Sequence, residues 1–491
     1  MLERTTSPDI PFWSARQLAQ AIRDKKIGCL ELLNAYLARV ERHNKTLNAI
    51  VQFDIPGAQM RAATADDALA RGERLGPLHG VPITINESID VAGFASTWGV
   101  SDLKDNRPAG SAVVVEALTQ AGAIVFGKTN VPRYALGWQT FNDLYGTTNN
   151  PWDVSRSPGG SSGGPAAALA AGLTGLDVGS DTDGSMRNPA HYCGIYAHKP
   201  TFGVISLEGR SLPGLGPAPD IAVVGPMARS AEDLALVFRL MAKPSASDAD
   251  AWRLVLPPPR KTKLSDFKIA VMLKDEICDV DQEVQTRLQA LADFLSSQGA
   301  EVSTEARPEV DTAATHRLFL KLAYAANSGS TLESIWKQAA WRALFLRKRN
   351  ESDFACMVRG LTLRHRDWIR LDAVRSQVRA AWSEFFGGHD LVLCPAASSA
   401  AIPHDHSGGW GGDRTIVVNG KRTASADQTF WAGLASVAHL PATVAPVGFT
   451  TSGLPVGVQI IGPQYGDNTC LTFARLLEQE FQPFVPPKGW D

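Results

Sequence analysis

The stretch Ser157-Pro158-Gly159-Gly160-Ser161-Ser162-Gly163-Gly164 is followed, after an apolar run of small residues, by Gly179-Ser180-Asp181-Thr182-Asp183-Gly184-Ser185-Met186-Arg187. Both segments place serine residues in glycine-rich turns. Such turns let the backbone approach a ligand closely, and they present hydroxyl groups and backbone N–H groups to it. The two segments together therefore indicate a site for acyl transfer.

Several separated segments of the chain carry a resemblance to a known family. The two serine segments are preceded by Gly80-Val81-Pro82-Ile83-Thr84-Ile85-Asn86-Glu87-Ser88, and Leu440-Pro441-Ala442-Thr443 and residues 453–463 extend the match toward the end. In this order the segments resemble the amidase signature family, whose members hydrolyse C–N acyl bonds with a Ser–Ser–Lys triad. The resemblance implies an α/β fold, a mixed twisted β-sheet surrounded by α-helices. It also implies one amidase domain over residues 1–491, with a variable substrate-facing region at about 310–430.

The resemblance assigns the role of nucleophile to Ser185. The backbone N–H groups of Thr182, Asp183 and Gly184, with that of Ser185 itself, are then expected to form the oxyanion hole for the tetrahedral intermediate. An Asp-Gly-Ser segment alone is also typical of a helix N-cap. The matches elsewhere in the chain favour the catalytic interpretation.

Four further residues are expected around the nucleophile. Ser161 matches the family's second serine, which follows a cis peptide bond and relays a proton between nucleophile and lysine. Its neighbour Ser162 is expected to support the site through hydrogen bonds, and each serine taken alone is equally typical of a loop. Asp181 and Arg187 flank the nucleophile, and the resemblance implies that they support its loop as a charge-assisted pair. A surface ion pair is the alternative.

The family's lysine falls on Asn86 in this chain. A carboxamide has no useful basicity near neutral pH, so Asn86 cannot act as the general base. We therefore expect severely impaired catalysis, with some hydrogen bonding to Ser161 retained. Three explanations are open: a substitution made to trap a bound substrate, a natural non-catalytic member of the family, or a different base. Lys128 and Lys199 are the candidates for a different base.

Asp183 is a second departure from the family, which usually has glycine at this position. A carboxylate directed into the site would oppose the negative charge that develops in the oxyanion hole. We therefore expect the Asp183 side chain to point outward.

The overall composition is that of a globular protein with a small-molecule partner. The 491 residues are 44% hydrophobic and 20% charged, and 48 basic against 50 acidic residues give a net charge of −2. The chain therefore has no excess of positive charge of the kind that binds nucleic acid or an anionic membrane. The six cysteines lack C-x-x-C spacing, and Met1-Leu2-Glu3-Arg4-Thr5-Thr6-Ser7-Pro8 lacks a signal-peptide pattern. We therefore predict a cytoplasmic monomer or homodimer that acts on an amide or carbamate without a cofactor or metal.

Local patterns predict alternating helices and strands. Ser14 can cap a first helix, and residues 268–303 repeat a β-α-β rhythm. Such alternation is typical of an α/β sheet covered on both faces. Residues 310–385 are predicted to be mostly helical, and residues 398–425 to form an irregular loop.

Two other motif matches do not fit their context. Gly122-Ala123-Ile124-Val125-Phe126-Gly127-Lys128-Thr129 fits the phosphate-loop pattern, but its interior is an apolar strand, whereas a phosphate loop follows a strand. Gly160-Ser161-Ser162-Gly163-Gly164 fits the nucleophile elbow, but no strand precedes it. An α/β-hydrolase remains an alternative, because His404 and His439 lie downstream. His404 and His406, without a third ligand, do not indicate a metal site.

The substrate-facing region is expected at residues 134–152 and about 310–430. Tryptophans in and around these segments favour an apolar or aromatic pocket. We therefore predict aryl or hydrophobic amides as substrates, with carbamates (urethanes) feasible at the same site. The tryptophans are Trp138, Trp336, Trp341, Trp410 and Trp431.

Two other functions are compatible with the sequence. The first is the glutamine-hydrolysing subunit of a tRNA-dependent amidotransferase, which would need protein partners and tRNA. Residues 212–229 look more like stand-alone bacterial amidases, which favours a free enzyme. The second is a binding-only pseudoenzyme that holds an amide ligand, and Asn86 is its single supporting feature.

Overall fold

A computed structural model describes residues 10–73, 76–213, 219–245, 247–331, 333–347, 349–407 and 414–490. Five sequence predictions fall wholly or partly outside these ranges. They concern the N-terminal segment 1–8, Trp410, residues 214–218 of the stretch 212–229, residues 408–413 of the predicted loop 398–425, and residues 332 and 348 of the predicted helical region 310–385.

Helices contain more of the described residues than strands do. The first helix begins after Ser14, whose hydroxyl accepts the N–H of Gln17, while the Gln17 side chain accepts the N–H of Ser14. This capping box confirms the predicted start. The helices are α1 (Ala15–Arg23), α2 (Cys29–Leu47), α3 (Ile55–Ala70), α4 (Val113–Gln120), α5 (Gly163–Ala170), α6 (Arg187–Cys193), α7 (Ala231–Met241), α8 (Gln282–Ser297), α9 (Thr312–Ala326), α10 (Glu333–Phe345), α11 (Asp353–Leu361), α12 (His365–Gly388), α13 (Thr429–Val437) and α14 (Asp467–Glu480).

The strands are short and lie between these helices along the chain. They are β1 (Ile50–Phe53), β2 (Pro82–Asn86), β3 (Ile124–Thr129), β4 (Phe141–Asn142), β5 (Gly146–Thr147), β6 (Asp177–Asp181), β7 (Tyr196–Lys199), β8 (Val223–Ala228), β9 (Lys268–Val271), β10 (Glu301–Ser303), β11 (Leu391–Pro395), β12 (Thr415–Val418), β13 (Lys421–Ala424), β14 (Ala442–Phe449) and β15 (Pro455–Ile461).

The largest sheet has eight strands in the order β10-β9-β11-β15-β14-β7-β8-β6. Strand β9 pairs in parallel with β10 and β11, whereas the other neighbours pair antiparallel. A three-stranded sheet has the order β1-β3-β2. This mixed central sheet surrounded by helices confirms the predicted α/β fold class.

The main apolar core fills the space between the sheets and the helices. It includes the buried side chains of Phe126 on β3, Phe238 on α7 and Phe319 on α9. Burial of such large apolar side chains is the main favourable contribution to folding. Within the described ranges, no helix combines the length and the apolar character needed to cross a bilayer.

Strand β2 lies beside β6 at the edge of the large sheet. The N–H of Thr84 donates to the carbonyl of Leu176. The hydroxyls of Thr84 and Thr129 donate to Asp177 Oδ2 at 2.6 and 3.1 Å. Asp177 is fully buried, and this burial raises its pKa to about 7. The junction brings Asn86, the last residue of β2, toward the loop that follows β6.

Two segments test the local predictions. The segment that resembles a phosphate loop contains β3, which agrees with its rejection. Residues 398–425, predicted as an irregular loop, contain the hairpin β12–β13, so that prediction is wrong for residues 415–424. The turn is Asn419-Gly420, with φ of 51° and 76°. Positive φ at both positions is typical of an Asn-Gly hairpin turn.

Candidate active site

The two serine-containing loops are in direct contact. The N–H of Ser162 donates to the carbonyl of Ser185 at 2.9 Å, and the Gly160–Ser161 peptide bond is cis, as the resemblance implies. A Cβ on Gly160 would lie 2.5 Å from the carbonyl oxygen of Gly137. Only glycine therefore lets this loop pack so closely against its neighbour.

Ser185 follows a sharp turn at Gly184, just before α6. Gly184 has a φ of +110°, and a Cβ there would lie 2.8 Å from Trp138 and 2.9 Å from Ala432. A side chain at this position would be strained by the backbone conformation and would also clash. The direction of the Ser185 hydroxyl is thus set by the surrounding packing.

A buried ion pair holds the Ser185 loop in place. Arg187 Nη2 and Nε donate to the Asp181 carboxylate at 2.8 and 3.0 Å, and both side chains are fully buried. The predicted charge-assisted pair is therefore present, and it is not a surface ion pair. Burial alone would raise the pKa of Asp181, but the charge and hydrogen bonds of Arg187 lower it to about 2.

Asp181 also organises the backbone of the loop. Its carboxylate accepts the N–H groups of Gly184 at 2.9 Å and of Met186 at 3.1 Å. The N–H of Gly184, predicted to face a substrate oxygen, is therefore directed at Asp181 instead, so this part of the oxyanion-hole prediction is wrong. The amides of Thr182, Asp183 and Ser185 remain the predicted donors.

Asn86 contacts Ser162 rather than Ser161. Its Nδ2 donates to Ser162 Oγ at 3.3 Å, while its Oδ1 accepts the N–H and the hydroxyl of Ser88 at 3.0 and 2.7 Å. Ser161 Oγ is buried and has no hydrogen-bond partner in the described part of the chain. The expectation of a hydrogen bond from Asn86 to Ser161 is wrong, because Ser88 fixes the short carboxamide so that it reaches only Ser162. Ser162 is the hydrogen-bonding support, and its hydroxyl also contacts the backbone of Ser180 at 3.4 Å.

Asp183 points into the site. The Ser185 hydroxyl donates to Asp183 Oδ1 at 2.9 Å. Burial and the neighbouring Asp181 charge raise the pKa of Asp183. The expectation of an outward orientation is therefore wrong, because the turn at Gly184 brings the carboxylate and the hydroxyl to the same side of the loop.

Ser185 and Ser161 line one cavity of about 200 Å³. The aromatic rings of Trp98 and Tyr134 and the guanidinium of Arg210 contribute to its wall. Polar catalytic groups beside aromatic and apolar surface are typical of a small-molecule site. The other described residues that line it are Ala135, Leu136, Ser180, Thr182, Asp183, Ser211, Leu212, Pro219, Ala326, Asn327 and Gly329.

The family profile described as Amidase matches residues 31–471. The chain belongs to the amidase family. An acylamidase of Rhodococcus erythropolis is 33% identical over 493 residues, covering 96% of this chain and 96% of that protein. A glutamyl-tRNA(Gln) amidotransferase subunit of Synechococcus sp. strain CC9605 is 32% identical over 495 residues, covering 95% of this chain and 96% of that protein. The structure of a bacterial aryl acylamidase of the amidase signature family has a TM-score of 0.78 at 22% identity, covering 96% of this chain and 97% of that chain, and supports the fold.

The two lysines considered as a different base have hydrogen-bond partners outside the serine loops. Lys128 Nζ donates to the Ala95 carbonyl at 2.8 Å and to Ser96 Oγ at 3.0 Å. Lys199 Nζ donates to two backbone carbonyls, at 2.8 and 3.0 Å. Burial lowers the pKa of Lys128 to about 8 and that of Lys199 to about 7. Neither lysine is among the described residues that line the cavity of Ser185.

The aromatic wall of the cavity differs from the predicted one. Trp138 packs under Gly184, Trp431 is fully buried in the core, and Trp341 is 64% exposed on α10. Trp98 provides an aromatic wall of the cavity instead. No local sequence signal predicts this for Trp98 or for Arg210, because only the folded chain brings these residues to the cavity of Ser185. Parts of both predicted substrate-facing segments do line the cavity, at residues 134–136 and 326–329.

Proposed function

We propose that this amidase hydrolyses the C–N acyl bond of a small amide through an acyl-enzyme on Ser185. The main support for this proposal is that Ser185 and Ser161 line the same cavity. The loop that carries Ser185 is fixed by the buried Asp181–Arg187 pair. Ser185 Oγ attacks the amide carbonyl, and backbone N–H groups of its loop stabilise the oxyanion. Departure of the amine leaves an ester on Ser185, which water then hydrolyses.

The aromatic side chains of the cavity support aryl or hydrophobic amides as substrates. Trp98 and Tyr134 provide ring faces, and Leu136 and Leu212 provide apolar surface beside the nucleophile. Aryl carbamates share the carbonyl and the amine leaving group with anilides. They are therefore proposed as a second substrate class at the same site.

We also propose that turnover is slow, because the position of the family's lysine holds a carboxamide. The Asn86 contacts supply no group that can accept a proton from Ser161 or Ser185. Positioned general bases contribute about 10²–10⁴-fold to rates. The chain is thus expected to be slower than a lysine-containing relative by a factor of this order.

The variant Asn86→Lys tests this proposal. A lysine is long enough to pass Ser162 and approach Ser161, so we expect kcat/KM to rise about 100-fold or more. The measurement compares 4-nitroacetanilide and phenyl N-phenylcarbamate as substrates of the parent chain and of the variant. Asn86→Gln is the matched control, because it lengthens the side chain without adding a base.

An equal rise with Asn86→Gln would show that side-chain length, and not basicity, controls the rate. Tight binding of both compounds without turnover by any folded variant would contradict the hydrolase proposal and support the binding-only alternative.

The tRNA-dependent amidotransferase function remains a second candidate, since the Synechococcus protein is 32% identical over nearly the full length of this chain. Release of ammonia from free glutamine, measured for the parent chain and for Asn86→Lys, separates the candidates. Glutamine hydrolysis far above anilide hydrolysis would favour the amidotransferase function, and the reverse would favour the stand-alone amidase.

The cysteines support the proposed cytoplasmic location. All six are buried and none forms a disulfide. Unpaired cysteines are usual in reducing compartments.

A further inference from the structure

Arg210 is a buried cation that faces the cavity of Ser185. It is 7% exposed, and its guanidinium carbon lies 5.1 Å from the centre of the Trp98 ring. Its Nε is buried and has no hydrogen-bond partner in the described ranges. No carboxylate of the described residues forms an ion pair with it.

Arg187 is also a buried arginine of this protein, but its guanidinium has a carboxylate and other hydrogen-bond partners. Its guanidinium binds Asp181, Ser436 Oγ and the Ala432 carbonyl, so its charge and its N–H groups are compensated. Burial lowers the pKa of Arg210 to about 10, so Arg210 still carries its charge at neutral pH. An uncompensated buried charge is costly, and its position on the cavity wall makes a ligand the natural partner.

We propose that Arg210 binds a carboxylate of the substrate, so that the preferred substrates are amides that carry an anionic group. This inference rests on the proposed function, since it places the anionic group in the cavity where Ser185 meets the amide. Arg210 lies over the ring of Trp98. A guanidinium can bind a carboxylate through two parallel N–H donors on one edge.

Matched substrates test the carboxylate subsite on either side of the amide. Glutaranilate and valeranilide differ by an acyl-side carboxylate, and 4-acetamidobenzoate and 4-acetamidoacetophenone differ by an amine-side carboxylate. We expect the anionic member of one pair to have a kcat/KM about 10- to 100-fold higher, mainly through KM. Arg210→Gln should reduce the ratio of kcat/KM between the anionic and the neutral member to about one, whereas Arg210→Lys should retain part of the preference.

Arg133→Gln is the control, because Arg133 is exposed and also lies over an aromatic ring, that of Tyr134 at 5.5 Å. It should leave the preference intact. Equal kcat/KM values within both pairs for the parent chain would overturn the proposal while leaving amide hydrolysis in place. Binding of glutaranilate to Ser185→Ala, followed by tryptophan fluorescence and lost with Arg210→Gln, would support the subsite even if no variant turned an amide over.

A second inference comes from the contact between Ser185 and Asp183. Two residues differ from the pattern that the resemblance implies: Asn86 stands in place of a lysine and contacts Ser162, and Asp183 stands in place of a glycine and contacts Ser185. The Ser185 hydroxyl donates to Asp183 Oδ1 at 2.9 Å. This distance is within the reach required of a general base.

We infer that Asp183 is the general base for Ser185 in this chain. A carboxylate is a weaker base than the neutral amine of a lysine, so turnover stays slow and Asn86→Lys still raises it. The Asp183 carboxylate accepts the Ser185 proton as Oγ bonds to the carbonyl carbon, and it returns that proton to the leaving nitrogen as the C–N bond breaks. In the second half it accepts a proton from water, whose oxygen bonds to the acyl carbon. The proton passes back to Ser185 Oγ as the ester bond breaks, so the enzyme is restored.

The surroundings of Asp183 suit this role. Burial and the charge of Asp181 raise its pKa, which makes the carboxylate a stronger base, while the hydrogen bond from Ser185 and the charge of Arg187 act in the opposite direction. The charge of Asp183 also acts on Tyr324 on α9. Burial and this charge raise the pKa of Tyr324, so that its phenol stays neutral. Catalysis needs the ionised form of Asp183, so kcat should rise with increasing pH as this carboxyl group loses its proton.

The inference is tested by the effect of Asp183→Asn on kcat, measured once with Asn86 present and once with Asn86→Lys. With Asn86 present, Asp183→Asn should lower kcat for 4-nitroacetanilide about 100-fold or more. With Asn86→Lys present, the same substitution should not lower kcat, and the pH profile should shift upward because a lysine base must first lose its proton. Thermal unfolding midpoints confirm that each variant is folded.

Equal losses in both backgrounds would overturn the inference, because they would assign Asp183 a structural role. An unchanged or higher rate for Asp183→Asn in the Asn86 background would overturn it as well. Neither result bears on the proposed acyl-enzyme on Ser185, which is tested separately by mass spectrometry of enzyme quenched during turnover.

Discussion

Ser185→Ala is expected to lower amide turnover by at least about 1,000-fold, because it removes the hydroxyl that we propose forms the acyl-enzyme. The cavity walls stay in place, so the affinity for a bound amide should change little. The rate is best measured in the Asn86→Lys background, where the starting activity is highest. Mass spectrometry of that variant, quenched during turnover of 4-nitroacetanilide, should show an acetyl group on Ser185.

Ser155→Ala is the matched control, since Ser155 is an exposed serine that lies before the first glycine-rich segment. Its activity should equal that of the parent. Retained turnover in Ser185→Ala would place the nucleophile elsewhere, and a large loss of amide binding would show that Ser185 is structural.

The features predicted well from sequence are those that depend on residues close to one another in the chain. The capping box at Ser14 needs only the two side chains Ser14 and Gln17, which lie three residues apart in the chain. Glycines in the serine loops mark positions where a Cβ has no room, as at Gly160 and Gly184. These local signals, together with the resemblance, were sufficient for the fold class.

The elements predicted poorly depend on packing between distant segments. The direction of Asp183 follows from a turn that Trp138 and Ala432 constrain from other parts of the chain. The proposed role of Arg210 depends on its position over the ring of Trp98 and on the lack of a carboxylate among its described neighbours. Sequence alone identifies a charged residue at position 210 but not the surroundings that leave its charge uncompensated.

Arg187→Met is expected to lower the free energy of unfolding by about 3–5 kcal/mol, because it leaves the buried Asp181 carboxylate without its cation. Arg187 also donates to the Ala432 carbonyl and to Ser436 on α13, so the variant loses links between the Ser185 loop and that helix. The measurement is a pair of urea unfolding curves at neutral pH. Arg370→Met, which removes an exposed pair with Asp367, is the control and should change stability by less than about 1 kcal/mol.

The pH dependence separates the ion pair from the loss of packing. The folded-state pKa of Asp181 is about 2, below its ordinary value, so the pair stabilises the fold above about pH 4 and this contribution is lost as pH falls toward 2. The stability gap between the parent and Arg187→Met should therefore narrow over that interval, whereas a gap due to packing would stay constant. The double variant Asp181→Asn with Arg187→Met should lose less stability than the two single variants together, because neither charge is left buried alone. A constant gap combined with additive losses would show that the loop is held by packing, and the ion pair would then be a consequence of the fold and not one of its supports.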